Sequence, residues 1–162
     1  EEMLNHKGDS MKGKTVAISG SGNVAQYAAQ KCLQLGAKVV SMSDSKGTIH
    51  DPEGIDEDKL AYIMNLKNVV RGRIKEYASA YGSAEYLEGQ RPWGISVDVA
   101  LPCATQNELN GEEAATLLAN GCVCVAEGAN MPSTPEAIET FHEAGILFAP
   151  GKASATTRSV TS

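Results

Sequence analysis

A glycine-rich junction between two patterned segments constrains the fold of this chain more than any other feature. Residues 14–19 (KTVAIS) form a short β-branched, apolar run, which is typical of a buried strand. Residues 23–35 are rich in Ala, Gln and Leu, with apolar residues at helical spacing, and Gly36 follows as a candidate C-cap. Between them stands GSGNVA (residues 20–25), a G-x-G-x-x-A pattern that follows a strand and opens a helix. The chain is therefore predicted to turn sharply here from a buried strand into a helix.

The residue types at this junction suit an anionic ligand. Gly20 permits the tight turn, and Gly22 has no side chain, so the backbone can approach a pyrophosphate closely. Ala25 is small enough for the helix to pack close to the strand, and the free amides and dipole of a helix start attract an anion. An acidic residue should follow about 20 residues later, at the end of the second strand, where Asp44 stands. The pattern predicts dinucleotide binding; the alternative is an ordinary strand-to-helix turn whose glycines serve packing.

The residues around Asp44 leave the choice between NAD and NADP open. A carboxylate at the ribose position prefers a 2′-hydroxyl, because it repels a 2′-phosphate. Asp44 is nevertheless flanked by two serines, and Lys46 comes next. Further on stand three basic residues that could fold back as a phosphate clamp: Lys67, Arg71 and Arg73. The same three residues would equally suit a solvated helix face.

Predicted strands and helices alternate along the chain. Apolar runs predict strands at residues 14–19, 38–43, 47–50, 96–101, 122–126 and 146–148. Helical patterns cover residues 23–35, 56–81 with a break near Gly72, 112–119, and a segment that begins at Ser133 or Thr134 and ends before Gly145. Residues 84–94 (AEYLEGQRPWG) contain a proline and two glycines and are predicted to be irregular. The alternation predicts a single α/β domain whose mostly parallel sheet is covered on both faces.

The link between the second and third predicted strands reverses one of them. Only about four residues (DSKG, 44–47) join the two strands. A parallel neighbour needs a crossover of a dozen residues or more. Residues 48–50 should therefore run antiparallel to the second strand, inside a sheet that is otherwise parallel.

Composition and charge exclude several classes of partner. The net charge of -6 argues against a nonspecific nucleic-acid binder, which would need a basic face. No apolar run approaches the ~20 residues of a membrane span, so neither nucleic acid nor a membrane is an expected partner. The four cysteines form no C-x-x-C pair and have no further ligands at metal-binding spacing, so no metal site is predicted. They indicate reduced core thiols in a cytoplasmic protein.

The two ends of the chain differ from its middle. Residues 1–12 resemble the tail of an earlier helix followed by a linker, so we expect a fragment or an excised domain. Residues 154–162 are polar and patternless, and we expect them to be poorly ordered. This leaves residues 13–153 as the predicted dinucleotide-binding domain.

Four segments, taken in order, resemble a known family. They are SGSGNVAQYAAQK, VDVALPCATQNEL, VAEGANMPSTPEA and GILFAPGKA. All four look like parts of the cofactor-binding domain of hexameric, NADP-type glutamate dehydrogenases, and the resemblance covers about residues 13–153. Leucine, phenylalanine and valine dehydrogenases share the architecture, but their motifs match less closely. The resemblance implies a Rossmann-like, doubly wound sheet with one reversed strand, NADP(H) as the cofactor rather than NAD, and a homo-hexamer for the full-length protein.

The resemblance also implies contacts to the adenosine half of the cofactor. The family's pyrophosphate turn matches five residues: Gly20, Ser21, Gly22, Asn23 and Val24. The positions around the adenosine ribose match Ser43 and Asp44. The basic residues near the 2′-phosphate match Lys67 and Arg73.

Two further loops match the nicotinamide side of the family's site. The loop after the strand ending at Leu101 matches at Ala104, Thr105 and Gln106. Gly128 and Asn130 match contacts to the nicotinamide ribose and carboxamide. Both loops follow strand ends, where open α/β sheets bind ligands. Helix capping would also explain residues 105–107, and a turn before a proline would explain Asn130.

The chain departs from the family in two places. The family carries its catalytic lysine and aspartate in a substrate domain that nothing here matches, and residues 154–162 do not match the glycine-rich stretch that follows in the family. No catalytic residue is therefore assigned, and we do not expect the chain alone to turn over substrate. The resemblance implies, for the whole enzyme, reversible oxidative deamination of L-glutamate to 2-oxoglutarate and ammonium. Two alternatives remain: a non-catalytic NAD(P)-sensing module, for which the two nicotinamide-side loops would be superfluous, and another amino-acid dehydrogenase.

Overall fold

The computed structural model describes residues 12–104, 108–128 and 133–149. Within these residues, the strands are β1 (Thr15–Ile18), β2 (Lys38–Asp44), β3 (Gly47–His50), β4 (Glu85–Glu88), β5 (Val99–Leu101), β6 (Cys124–Ala126) and β7 (Leu147–Ala149). The α-helices are α1 (Asn23–Gln34), α2 (Glu57–Asn65), α3 (Lys75–Ala80), α4 (Gly111–Ala119) and α5 (Pro135–Ala144). A π-helical turn spans Leu66–Val70, and a 3₁₀ turn spans Pro92–Gly94.

The described strands form one sheet in the order β4-β3-β2-β1-β5-β6-β7. The five neighbouring strands β2, β1, β5, β6 and β7 pair in parallel. At the other side of the sheet, β3 runs antiparallel to both β2 and β4. The register pairs Asp44 with Gly47 across the short link and Ser41 with His50 at the far end. The reversed strand predicted from the link length is thus confirmed, as is the mostly parallel α/β sheet.

The irregular segment predicted over residues 84–94 is wrong at its start. Residues Glu85–Glu88 form the edge strand β4, which pairs with β3 from Gly47↔Glu88 to His50↔Glu85. Both ends of β4 are exposed glutamates and its middle is only half-buried. A charged edge strand of this kind lacks the apolar alternation that identifies a strand in sequence, and it forms because β3 supplies the hydrogen bonds.

Helices cover both faces of the sheet, so alternate residues of β1 enter separate cores. Val16 and Ile18 pack into a core shared with α1, α2 and α3. Ala17 packs into the opposite core with Trp93, α4 and α5. Burial on both faces explains why the central strands are continuous apolar runs rather than alternating ones. The prediction of a doubly covered sheet is confirmed.

The long helical pattern predicted over residues 56–81 divides into three parts. Asp56 caps α2 by accepting a 2.9 Å hydrogen bond from the Lys59 amide. The π-helical turn follows, and Arg71 then adopts a left-handed conformation with φ 59°. The break therefore falls beside Gly72, as predicted, and α3 begins at Lys75. π-Helical turns are rare and occur frequently at functional sites.

The four cysteines are buried and free. Burial raises the pKa of Cys32 and Cys103 to about 12, and that of Cys122 and Cys124 to about 11. Among the described residues, no group of three or more His, Cys, Asp or Glu is placed to hold a metal ion. In the same part of the chain, no helix combines the length and the apolarity needed to cross a bilayer.

Candidate functional site

A cleft of about 610 Å³ opens at the carboxyl ends of β1, β2 and β5. Ligands of open α/β sheets bind at this edge. Eight of the residues predicted from the sequence line this cleft: Gly20, Ser21, Gly22, Asn23, Val24, Ser43, Asp44 and Ala104. Thr105, Gln106 and Asn130 lie outside the described residues. The structure therefore brings together most of the described candidates from three separate parts of the chain.

The turn after β1 needs glycine at its first position. Gly20 has φ 87°, and a Cβ there would lie 3.1 Å from the Cys103 carbonyl oxygen and 3.2 Å from the Ala104 Cα. A side chain would therefore be both strained in conformation and pressed against the loop after β5. The backbone of that loop can pack directly against the turn only because residue 20 has no side chain.

Buried serine hydroxyls hold this turn in place. The Gly20 amide donates to Ser43 Oγ at 2.8 Å, and the Ser43 amide donates back to the Gly20 carbonyl at 3.1 Å. Ser41 Oγ bonds both the amide and the carbonyl of Ile18, and Ser19 Oγ accepts from the Cys103 amide at 2.9 Å. Nothing in the sequence indicates the roles of Ser41 and Ser19, because their partners are 23 and 84 residues away.

The start of α1 has room for an anion. Gly22 is its N-cap with φ -81°, and a Cβ there would meet nothing within 4 Å. No described side chain caps α1, and its first turn has no acidic residue. Side chains do cap α2, α4 and α5. The amides at the start of α1 are therefore left without a described side-chain acceptor, and the space beside Gly22 is open.

The carboxylate of Asp44 is already engaged within the protein. Its Oδ1 accepts from the amides of Lys46 at 2.9 Å and Gly47 at 3.3 Å, which closes the turn between β2 and β3. Its Oδ2 accepts from the Ile74 amide at 2.9 Å and lies 3.8 Å from Lys67 Nζ. The side chain is 6% exposed. Asp44 therefore fastens the segment after the π-helical turn to the end of β2, and its contact to a ribose stays a prediction.

Lys67 and Arg73 both return to the end of β2. Arg73 Nη1 donates to Ser45 Oγ at 3.2 Å, and Lys67 Nζ donates to the Gly72 carbonyl at 3.2 Å. Ser45 lines the cleft beside Asp44. Neither base lines the cleft itself, but each contacts a residue that does, Arg73 through Ser45 and Lys67 through Asp44. Both side chains therefore reach back to the end of β2, and their role as a phosphate clamp stays a prediction.

The loops after β5 and β6 pack against each other. The Gly128 amide donates to the Pro102 carbonyl at 2.9 Å, and a Cβ on Gly128 would lie 2.5 Å from Cys103 Sγ. Glu108, which is 5% exposed, accepts from the Ala104 amide at 2.9 Å. The buried carboxylate of Glu108 therefore holds the loop after β5, and the lack of a side chain at Gly128 lets the loop after β6 pack against it.

A comparison with protein families identifies the chain. A family model described as Glutamate/Leucine/Phenylalanine/Valine dehydrogenase matches residues 1–157. The chain belongs to this family. The resemblance carried by the four sequence motifs is therefore confirmed.

Individual members of the Glutamate/Leucine/Phenylalanine/Valine dehydrogenase family are highly similar. A glutamate dehydrogenase of Bacteroides thetaiotaomicron is 62% identical over 152 residues, covering 94% of this chain and 34% of that protein. An NADP-specific glutamate dehydrogenase of Escherichia coli is 54% identical over 153 residues, again 94% and 34%. The crystal structure of a Plasmodium falciparum glutamate dehydrogenase matches with TM-score 0.91 and 43% identity, covering 94% of this chain and 32% of that one. The chain thus spans about a third of the length of these relatives.

One wall of this dehydrogenase-family cleft was not predicted from the sequence. Gly89, Gln90, Arg91 and Pro92, which follow β4, also line it. Thr48 Oγ1 donates to the Gln90 carbonyl at 2.6 Å, and Arg91 bonds both the Glu108 carbonyl and, at 2.9 Å, Glu113 Oε1. No pattern within residues 89–92 indicates this place. These residues reach the cleft because β4 pairs with β3, which the sequence does not reveal.

Proposed function

We propose that residues 13–153 are the NADP(H)-binding domain of a glutamate dehydrogenase. The observation that carries the proposal is the uncapped start of α1 behind Gly20 and Gly22, in a cleft whose lining residues Ser45 and Asp44 are contacted by Arg73 and Lys67. The names of relatives at 54% and 57% identity, which are NADP-specific glutamate dehydrogenases, support the choice of cofactor and substrate. For the whole protein we propose reversible oxidative deamination of L-glutamate to 2-oxoglutarate and ammonium, and assembly as a homo-hexamer.

Each part of the cleft receives a role in this proposal. The amides of residues 20–24 hold the diphosphate, and Ser43 and Asp44 stand beside the adenosine ribose. Lys67 and Arg73, with Ser45, take the 2′-phosphate in charge-assisted hydrogen bonds. The nicotinamide half faces the two loops that contain Ala104, Thr105, Gln106, Gly128 and Asn130.

The bound cofactor would supply the hydride chemistry, as cofactors generally do. The residues of this chain would bind it, orient its nicotinamide and keep water away from one of its faces. Asp44 would contribute by holding the basic segment in position, because its carboxylate bonds the Ile74 amide and lies beside Lys67.

Calorimetric titration of the full chain tests the cofactor assignment. We expect micromolar binding of NADPH and binding of NADH weaker on the order of 100-fold, since Lys67 and Arg73 would each add a charge-assisted hydrogen bond, and each such bond contributes about 1.5–3 kcal/mol. Arg73→Met should weaken NADPH binding by about tenfold and leave NADH binding nearly unchanged. Lys75→Met removes an equal charge from an exposed site two residues away and should change neither. An equal or reversed preference in the unsubstituted chain would contradict the roles given to Lys67 and Arg73.

A second experiment tests the absence of catalytic groups from the chain. Incubated with NADP⁺ and L-glutamate, the chain alone should produce no NADPH absorbance above the rate without enzyme. We assign no catalytic residue to it, and it spans about a third of its relatives' length. Glutamate-dependent turnover by the chain alone would show that catalytic groups lie within it.

A further inference from the structure

A buried glutamine on α1 makes contacts that the roles above do not use. Gln26 is 4% exposed, although it lies beside the apolar Ala25 on a helix that packs against the sheet. Its Nε2 donates to the Ser21 carbonyl at 2.8 Å and to Asn68 Oδ1 at 3.2 Å, and its Oε1 accepts from Asn68 Nδ2 at 3.1 Å. Both amide hydrogens and the amide oxygen of Gln26 are therefore used.

The bond to Ser21 fixes part of the glycine turn. Ser21 lies between Gly20 and Gly22, and its carbonyl shares a peptide plane with the Gly22 amide. In a trans peptide the C=O and N–H point in opposite directions, so a bond that holds the Ser21 oxygen also sets the direction of the Gly22 N–H. The plane adjoins Gly22, whose permissive φ leaves the backbone less resistance of its own to rotation of this plane. Gln26 supplies that resistance.

The bond to Asn68 reaches the basic segment. Asn68 lies in the π-helical turn directly after Lys67, whose Nζ is 3.8 Å from Asp44 Oδ2. The two amides bond each other reciprocally, and each can satisfy the other only in one relative position. A single side chain of α1 thus contacts both the turn proposed for the diphosphate and the turn that carries a base proposed for the 2′-phosphate.

We propose that Gln26 and Asn68 form a positioning pair that holds the π-helical turn at a fixed distance from the glycine turn, and thereby sets the preference for NADPH over NADH. This inference rests on the proposed function. Without the pair, the glycine turn and Arg73 remain, but Lys67 keeps only its contacts to Asp44 and the Gly72 carbonyl, so its distance from the diphosphate is less tightly set. A 2′-phosphate then loses affinity, whereas a 2′-hydroxyl has little to lose.

Four titrations by calorimetry with NADPH and NADH test the pair: the unsubstituted full chain, Asn68→Leu, Gln26→Met and the double variant. Asn68→Leu should weaken NADPH binding by about tenfold and NADH binding by less than about twofold. Gln26→Met should weaken both, because it also frees the Ser21 carbonyl, and should lower the NADPH/NADH ratio as far as Asn68→Leu does. The double variant should have the ratio of either single variant, since both remove the same coupling.

Matched controls and a cofactor-free measurement separate positioning from general damage. Gln30→Met on the exposed side of α1 and Asn65→Leu at the exposed end of α2 should leave the ratio unchanged. In the cofactor-free chain, Gln26→Met should speed hydrogen exchange of the amides of residues 66–72 while the melting temperature of the sheet changes little. Asn68 is exposed, so Asn68→Leu tests the pair even where Gln26→Met fails to fold.

The outcomes distinguish this inference from the proposed function. Normal binding by the unsubstituted chain, with an unchanged NADPH/NADH ratio in Asn68→Leu, would overturn the positioning pair alone. Multiplicative losses of the ratio in the double variant would also overturn it. Binding of neither cofactor by the unsubstituted chain would overturn the proposed function and the pair together.

Discussion

Gly22→Ala should leave the chain folded and remove most of its affinity for NADPH. A Cβ at Gly22 would meet no atom within 4 Å, and its φ of -81° is ordinary for any residue, so the stability should fall by less than about 1 kcal/mol. The new methyl group would stand where a diphosphate must approach the backbone, and we expect binding to weaken on the order of 100-fold. Calorimetry and urea denaturation of the same sample measure both effects.

Two further substitutions sharpen this prediction. Gly22→Ser should stabilise the cofactor-free chain by a few tenths of a kcal/mol, because a serine N-cap accepts a hydrogen bond from the first helical turn, yet it should still exclude the cofactor. Gly20→Ala should destabilise the chain by about 1–3 kcal/mol, because φ is 87° and the Cys103 carbonyl lies 3.1 Å from the added Cβ. Undiminished NADPH binding by Gly22→Ala would contradict the proposal that the glycine turn holds the diphosphate.

Asp51→Asn should destabilise the chain by about 3 kcal/mol without touching the cleft. Asp51 is fully buried just after β3 and accepts from Lys59 Nζ at 2.9 Å, the Tyr77 hydroxyl at 2.6 Å and the Ser83 hydroxyl at 2.9 Å. Because β3 is reversed, this network lies towards the opposite edge of the sheet from the cleft. Asparagine would leave the ammonium of Lys59, which is 14% exposed, without its counter-charge. Urea denaturation at neutral pH measures the loss.

The controls separate the buried network from general loss of charge. Asp58→Asn removes an exposed carboxylate from α2 and should change stability by less than about 0.5 kcal/mol. Asp51→Asn combined with Lys59→Met should cost less than the sum of the two single changes, because both break the same ion pair. A loss at Asp51→Asn no greater than that at Asp58→Asn would show that the network contributes nothing to stability.

The pH dependence of stability follows from the same network. Burial alone would raise the pKa of Asp51, but hydrogen bonds from Tyr77, Lys59 and Ser83 and the charge of Lys59 together hold it below its ordinary 3.8. This contribution is complete above about pH 4 and is lost as the pH falls through the lowered pKa. Burial would lower the pKa of Lys59, but the hydrogen bond to Asp51 and the nearby carboxylates raise it above 10.5. That contribution is therefore lost as the pH rises beyond this value, and the difference between the chain and Asp51→Asn should be largest near neutral pH and shrink both in acid and in strong alkali.

Short-range chemistry made much of the fold predictable. The glycine turn follows from an apolar run, a glycine and a helical repeat, all within about 20 residues. In the structure that glycine, Gly20, has φ 87°. The reversal of β3 follows from a link too short for a crossover. The capping of α5 by Thr134 and its end at Gly145 likewise depend on residues adjacent to the helix. Each of these features is decided by neighbours in the chain.

Long-range pairing decided what the sequence left open. The edge strand β4 has no apolar alternation of its own, and it brings the missed wall of residues 89–92 to the cleft. The engagement of Asp44 with the Ile74 amide crosses 30 residues, and the Gln26–Asn68 pair crosses 42. Neither contact leaves a periodicity or a spacing in the sequence, because Asp, Gln and Asn suit a surface position equally well and Ile74 takes part only through its backbone amide.

The sequence by itself determined that this chain turns from a strand into a helix through glycines, within a mostly parallel sheet with one reversed strand. These features depend on backbone conformation and link length, which a few consecutive residues specify. Only the tertiary structure decided that the carboxylate of Asp44 faces inward and that Lys67 and Arg73 return to the end of β2. A charged or polar side chain takes its partner from whatever the fold brings within about 3 Å, and that distance is set by the packing of the whole domain.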